Sequence, residues 1–120
     1  MRRYTTILLA TGAIALLASL AFAGYFTSDG RVYPLSGPVY FQIFKWSVEY
    51  NLDENQPAPV GVVQVWKSGF LEFEDMMSFT RVEGVVYYWY YSNLGKTGNY
   101  AYRFYTFDDM TLPGVGLTVY

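Results

Sequence analysis

The residues with the clearest chemical potential are three neighbouring carboxylates, Glu72, Glu74 and Asp75. A pair of carboxylates can hydrolyse a glycosidic bond, one group acting as acid and the other as base or nucleophile. The chain has no histidine and no cysteine, so it offers no serine–histidine pair, no thiol nucleophile and none of the usual zinc ligands. Because Glu72 and Glu74 alternate along a short segment, they are expected to share the solvent side of a strand. We therefore predict no catalytic residues and no enzyme activity.

A second group of oxygen-bearing side chains, Asn51, Asp53 and Asn55, occupies alternate positions just before Pro57 and Pro59. Prolines and short polar residues predict a loop, and loop carboxylates are ligands that calcium uses. The segment lacks the glycine and the distal glutamate of a helix–loop–helix calcium site. Asp53 and Asn55 are therefore candidate calcium ligands, with ordinary solvation of the loop as the simpler interpretation. No other cofactor or metal is predicted.

The overall composition describes a folded domain rather than a disordered or nucleic-acid-binding segment. Of the 120 residues, 52% are hydrophobic, 21% aromatic and 15% charged, whereas disordered chains are poor in aromatic residues. The formal net charge of −2 gives no basic field that would attract nucleic acid.

The amino-terminal segment has the pattern of a secretory signal peptide. Arg2 and Arg3 precede an apolar run, and the run ends in the small-residue pattern 21–23, Ala-Phe-Ala. We predict cleavage between Ala23 and Gly24, which divides the chain into a signal peptide, 1–23, and one mature domain, 24–120. The alternative is an uncleaved membrane anchor. In either case the domain is expected to be extracytoplasmic, secreted or at the cell surface.

The residue pattern of most of the mature chain predicts strands separated by turns. Aromatic and β-branched residues alternate with polar ones in short segments. Glycine, proline and asparagine separate these segments. The predicted strands are 31–33, 39–50, 60–67, 70–74, 85–92, 100–107 and 115–120. About seven short strands in a chain of this length predict an all-β, antiparallel β-sandwich.

Three stretches carry a resemblance to a known family. They are Phe44-x-Trp46-x-Val48-x-Tyr50 with the acidic loop after it, Val63-x-Val65 followed by Gly69, and the segment from Leu94 to Tyr100. Together they resemble the immunoglobulin-like domains of prokaryotic surface and secreted proteins, including PKD-like and fibronectin type III-like variants. The resemblance implies an immunoglobulin-like sandwich. It also implies a structural tyrosine corner in which Leu94 precedes Tyr100 and the tyrosine hydroxyl caps nearby backbone.

Strand alternation predicts an aromatic outer face. If Val63 and Val65 point inward, Trp66 points outward, and the same parity turns Arg103, Tyr105 and Phe107 outward. The resemblance places the two strands side by side, so these four residues form the predicted binding face. A hairpin partner would add Leu71 and Phe73, and a second outward pair, Tyr88 and Tyr90, is expected on the other sheet.

Exposed apolar patches larger than about a few hundred Å² usually mark interfaces, unless the strands twist and the segment 108–120 covers this face. We therefore predict a non-catalytic module for adhesion or extracellular assembly, whose partner is an extracellular protein or a second copy of itself. The alternative is a carbohydrate-binding module in which exposed Trp and Tyr rings stack on sugars. Nucleic acid is not an expected partner, and a membrane is one only if the amino-terminal segment stays attached.

Overall fold

The computed structural model describes residues 24–120, and all regular secondary structure in this range is β-strand. The predicted signal segment, 1–23, lies outside the described residues. The strands are β1 (Tyr25–Phe26), β2 (Arg31–Tyr33), β3 (Ser36–Gly37), β4 (Phe44–Asn51), β5 (Val62–Lys67), β6 (Phe70–Met76), β7 (Ser78–Val82), β8 (Val85–Ser92), β9 (Gly98–Tyr105) and β10 (Gly114–Val119). In this part of the chain, no helix is long and apolar enough to cross a membrane.

The strands form two sheets that enclose one core. Sheet 1 has the order β1-β4-β8-β7, with β2 also paired to β4, and sheet 2 has the order β3-β10-β9-β5-β6. All pairings are antiparallel except the short parallel contact of β3 with β10. The predicted all-β class with a β-sandwich-like arrangement of two sheets is confirmed.

The core is built from the inward positions of alternating strands. On β4, every second residue from Phe44 to Tyr50 is buried, while Lys45 and Glu49 between them are exposed. β5 and β9 follow the same rule and bury Val63 and Phe104 completely. This period of two lets a short strand contribute half of its side chains to the interior and half to solvent. The largest fully buried side chains are Trp46, Tyr50, Tyr88, Phe44 and Phe104.

The predicted outward pair on the other sheet, Tyr88 and Tyr90, was wrong. Tyr88 is only 1% exposed, and its hydroxyl donates a 2.6 Å hydrogen bond to the carbonyl of Pro59. Tyr90 packs on Trp46 with 6.2 Å between ring centroids. Because β8 is aromatic on both faces, the sequence alternation did not distinguish its inner face from its outer one.

Several strand boundaries differ from those expected. The predicted strand 39–50 begins only at Phe44, because residues 38–42 form a turn in which Gln42 N–H donates to the carbonyl of Pro38. Tyr40 in that turn has a φ of 67°, which breaks extended structure. The strand β7 was not predicted, although it pairs with β8 along its whole length.

Phe73 was expected on the outer face and lies on the inner one. The β5–β6 register shifts between Val65 and Trp66, so Phe73 pairs with the buried Val65 while Leu71 pairs with Trp66. This β-bulge leaves Glu72 without a register partner and removes it from the alternation with Glu74. The expectation that Glu72 and Glu74 share one regular solvent face was therefore wrong. Glu72 instead forms a 3.2 Å ion pair with Lys96.

Candidate functional site

The outer face of sheet 2 brings three of the four predicted binding residues into rows that cross β6, β5 and β9. Strand register gives the rows Met76–Val62–Tyr105, Glu74–Gln64–Arg103 and Leu71–Trp66–Ala101. We call these nine residues the sheet 2 face. They lie outward because the residues between them on β5, Val63 and Val65, are fully buried.

Trp66 and Arg103 are joined directly. The Arg103 guanidinium carbon lies 4.9 Å from the centroid of the Trp66 ring, which is the geometry of a cation–π contact. One guanidinium nitrogen donates to the sulfur of Met110 at 2.9 Å, and thioether sulfur is a weak acceptor. Arg103 Nε is buried and has no acceptor among the described residues. The guanidinium is therefore positioned against an aromatic ring without a carboxylate partner in the described contacts.

A groove of about 480 Å³ borders Trp66 on the side of β10. Its apolar lining comes from Trp66, Ala101, Pro113 and Val115, and Arg103 closes one side. Gly116, with a φ of 96°, lies in the irregular part of β10, where the β9–β10 register shifts. The groove therefore lies beside the irregular part of the β9–β10 pairing.

Tyr105 is held by a carboxylate on the same face. Its hydroxyl donates a 2.5 Å hydrogen bond to Glu74 Oε2, while Gln64 Nε2 donates to Glu74 Oε1 at 3.3 Å. The hydrogen bond to Glu74, together with partial burial, raises the pKa of Tyr105 to about 12. Glu74 thus accepts hydrogen bonds from two neighbours on the sheet 2 face. In the described contacts it is not paired with a second carboxylate.

Phe107 does not continue the face as a strand residue. β9 ends at Tyr105, and the chain then turns, with Thr106 buried and its N–H donating to the carbonyl of Asp109. Phe107 lies in this loop with 70% of its surface exposed. Trp66, Arg103 and Tyr105 therefore lie together on the sheet 2 face, whereas Phe107 lies outside it.

The candidate calcium ligands lie in a loop that is organised by the protein's own groups. Asp53 Oδ1 accepts the N–H of Asn55 at 2.9 Å, which closes a local turn. Arg81 donates to the backbone carbonyl of Asp53 at 2.5 Å and also to that of Gln56. Within residues 24–120 no group of three or more acidic side chains is arranged to hold a metal ion. A calcium ion at Asp53 and Asn55 stays a prediction.

Leu94 and Tyr100 have the contacts that a tyrosine corner requires. Leu94 is buried in the core, and the Tyr100 hydroxyl donates a 2.7 Å hydrogen bond to the carbonyl of Lys96. Burial, with Glu72 nearby, raises the pKa of Tyr100. The hydroxyl thus satisfies a carbonyl in the β8–β9 connection, as the predicted tyrosine corner requires.

Sequence reasoning missed a second aromatic surface, on the outer face of sheet 1. Tyr87, Trp89 and Tyr91 of β8 point outward, opposite Glu49, Ser47 and Lys45 of β4. The signal was present in β8, where Val86 and Tyr88 are buried and three of the four residues of opposite parity are aromatic. We call Tyr87, Trp89 and Tyr91 the β8 aromatic row.

The middle of this row is bordered by small hydroxyl side chains. Trp89 lies opposite Ser47 on one side and Ser78 on the other, so neither neighbouring strand supplies a long side chain to cover its ring. A pocket of about 320 Å³ opens beside it, lined also by Arg31 and Glu49. Lys45 Nζ lies 5.6 Å from the Tyr91 ring centroid. On this surface, aromatic rings therefore lie beside hydroxyl groups and beside charged groups of both signs.

The chain matches no protein-family model, no curated protein and no solved structure.

Proposed function

We propose that the protein is an extracytoplasmic, non-catalytic, immunoglobulin-like module that assembles with a second copy of itself through the sheet 2 face. The strand order supports the immunoglobulin-like part of the proposal. That fold groups strands A, B, E and D in one sheet and C, F and G in the other. Here β2, β4, β8 and β7 correspond to the first set, β5, β9 and β10 correspond to the second, and β6 extends the second sheet at its edge.

The observation that carries the assembly is the charged row Glu74–Gln64–Arg103. Its two ends have opposite charge and stand two strands apart, which is about 10 Å. A two-fold axis that lies between the copies and runs along β5 exchanges the ends of every row. Glu74 of one copy then faces the partner's Arg103, and Arg103 faces the partner's Glu74. Such an isologous arrangement is the commonest form of homo-oligomer.

The other two rows fit the same axis. The two Trp66 rings meet near the axis, Leu71 lies opposite the partner's Ala101, and Met76 lies opposite the partner's Tyr105. The rows on either side of the charges are thus apolar or aromatic, and Leu71 and Met76 are exposed in the single copy. Aromatic residues and arginine are enriched at the energetic centres of interfaces, which suits Trp66 and Arg103.

Charge exchange tests this arrangement. Arg103→Glu would place two carboxylates opposite each other, and Glu74→Arg would do the same with two guanidiniums, so each single variant should sediment as a monomer. The double variant Glu74→Arg/Arg103→Glu restores opposite charges across the axis and should recover the dimer. Sedimentation velocity of residues 24–120 over a concentration series gives the readout, and far-UV circular dichroism checks that each variant is folded. A wild-type chain that is monomeric at high concentration would refute the proposal.

The β8 aromatic row supports a second candidate function, carbohydrate binding. The C–H face of a sugar ring is apolar and packs on an aromatic ring, while its hydroxyls need hydrogen-bonding groups at the edges. Trp89, bordered by Ser47 and Ser78 with Arg31 and Glu49 nearby, has this layout. A glycan array of the wild type and Trp89→Ala tests it, with Trp66→Ala as the matched control on the other sheet. Binding that is lost only in Trp89→Ala would favour carbohydrate over self-assembly.

A further inference from the structure

The first described residue is fixed inside the fold rather than at its surface. Gly24 is buried, and its backbone nitrogen donates a 3.1 Å hydrogen bond to Asp108 Oδ2. The next residues are held in the same way, since the Phe26 N–H donates to Asp109 Oδ2 at 2.9 Å. Two consecutive carboxylates of the β9–β10 loop thus bind the backbone of the segment that begins β1.

Asp108 is positioned for this contact by two hydroxyl groups. The Tyr50 hydroxyl donates to Asp108 Oδ1, and Thr106 Oγ1 lies 2.9 Å from the same oxygen. Both of these bonds go to Oδ1, whereas the Gly24 nitrogen donates to Oδ2. Tyr50 is itself completely buried, so the carboxylate lies at the edge of the core. The charged group is therefore oriented by contacts that do not depend on Gly24.

Only glycine fits at this position. A Cβ on residue 24 would overlap the ring of Tyr50, whose hydroxyl orients Asp108. The nitrogen can approach the carboxylate because nothing projects from Cα toward the tyrosine. The same residue is the one that the predicted cleavage between Ala23 and Gly24 would expose as a new amino terminus.

We propose that Asp108 is the binding site for the α-ammonium group of a processed amino terminus at Gly24. The inference rests on the proposed signal-peptide cleavage. Hydrolysis of the Ala23–Gly24 peptide bond leaves a carboxylate on Ala23 and an amine on Gly24, which takes up a proton because α-amino groups have a pKa near 8. The neutral amide donor at 3.1 Å from Asp108 becomes a cationic one, and hydrogen bonds between charged groups are roughly twice as strong. Processing would thus complete the fold as well as release the domain.

Two chains that differ by one residue test the proposal. A sequence-specific protease can release either a chain that begins at Gly24 or one that begins at Ala23. The longer chain keeps the Gly24 amide donor but moves the positive charge one residue away from Asp108. We expect the Gly24 chain to have the higher melting temperature, by on the order of 5 °C for a domain of this size. Asp108→Asn should abolish the difference between the two chains.

The control is Glu72→Gln, which removes the carboxylate partner of Lys96 at the opposite end of the sandwich and should leave the difference intact. If Asp108→Asn does not fold, acetylation of the α-amino group in the Gly24 chain removes the charge while Asp108 remains. Equal melting temperatures of the two chains, or a difference that survives Asp108→Asn or acetylation, would overturn the proposal. Because both chains are made in vitro, this result is independent of whether cells cleave at Ala23.

Discussion

Trp46 of sheet 1 and Phe73 of sheet 2 meet edge to face across the core, with 5.8 Å between their ring centroids. Trp46 is fully buried at the centre of β4, whereas Phe73 belongs to β6, the edge strand of the other sheet. Edge-to-face pairs add about 0.5–1.5 kcal/mol beyond the burial of their area. The pair packs an edge strand against the opposite sheet, and β6 contributes three residues to the sheet 2 face.

Trp46 and Trp66 are expected to respond differently to truncation. Trp46→Ala should cost about 3–5 kcal/mol, which a domain of this size is not expected to survive. Trp66→Ala removes a cation–π contact with Arg103 at a half-exposed position and should cost about 1 kcal/mol. Chemical denaturation followed by circular dichroism measures both values. A severe loss of stability in Trp66→Ala would place its ring in the core and remove it from the interface.

Tyr100→Phe should destabilise the fold without affecting assembly. The substitution keeps the buried ring and removes the hydrogen bond to the Lys96 carbonyl, at a cost of about 1 kcal/mol. Tyr33→Phe, at an exposed position, is the matched control and should leave the denaturation midpoint unchanged. An unchanged midpoint in Tyr100→Phe would rule out the corner contact. Altered sedimentation at wild-type stability would assign Tyr100 to the binding surface.

Stability should fall in alkaline solution because tyrosines are buried in their neutral form. Burial, with Asp108 nearby, raises the pKa of Tyr88 to about 12, whereas the unfolded value is about 10. Below pH 10 the Tyr88 hydroxyl is protonated in both the folded and the unfolded state. Its full contribution to the free energy of unfolding is then present. Between about pH 10 and 12 the unfolded state releases the proton first, so the stability is progressively lost. Burial and the hydrogen bond to Asp108 raise the pKa of Tyr50 in the same direction.

Thermal melts at pH 9 to 12 measure this loss, which should be shallower in Tyr88→Phe than in the wild type. The substitution also removes the hydrogen bond to Pro59, so the comparison is made on the pH slope rather than on the melting temperature at one pH. The same pH slope in both proteins would show that the pKa of Tyr88 does not differ between the folded and unfolded states.

The mature protein should begin at Gly24. Intact-mass spectrometry of the protein recovered from medium or envelope should show the loss of residues 1–23, in accord with the 21–23 Ala-Phe-Ala pattern. Replacing Ala23 by a bulky residue should block the loss. Recovery of the full-length chain from the membrane fraction, resistant to salt and high pH, would instead indicate an anchor.

The predictable parts of the fold are the strands in which apolar and polar residues alternate with a period of two. β4 alternates cleanly between apolar and polar residues, and β5 and β9 have inward residues whose parity identified Trp66, Arg103 and Tyr105 as outward. β8 carries five consecutive aromatic residues, 87–91, so its two faces were interchanged, and Tyr88 was assigned to solvent. Composition alone cannot orient a strand that is aromatic on both sides.

The remaining errors arose where pairing, not local sequence, decides the geometry. The β5–β6 bulge turns Phe73 inward, and a bulge depends on the register between two strands rather than on either strand alone. β7 contains Thr80 and Arg81 among few apolar residues, and it is a strand because β8 offers an edge to pair with. The contact of Gly24 with Asp108 joins residues 84 positions apart and has no local signal.

The charged row on sheet 2 has a consequence for the polarity of a dimer. Because Glu74 and Arg103 are separated across the strands rather than along them, the two-fold axis of the proposed dimer would run parallel to β5. Rotation about such an axis preserves strand direction, so both copies of β5 run the same way. Both Gly24 residues then lie at the same end of the pair, and two chains that emerge from one membrane surface could associate side by side without either turning over.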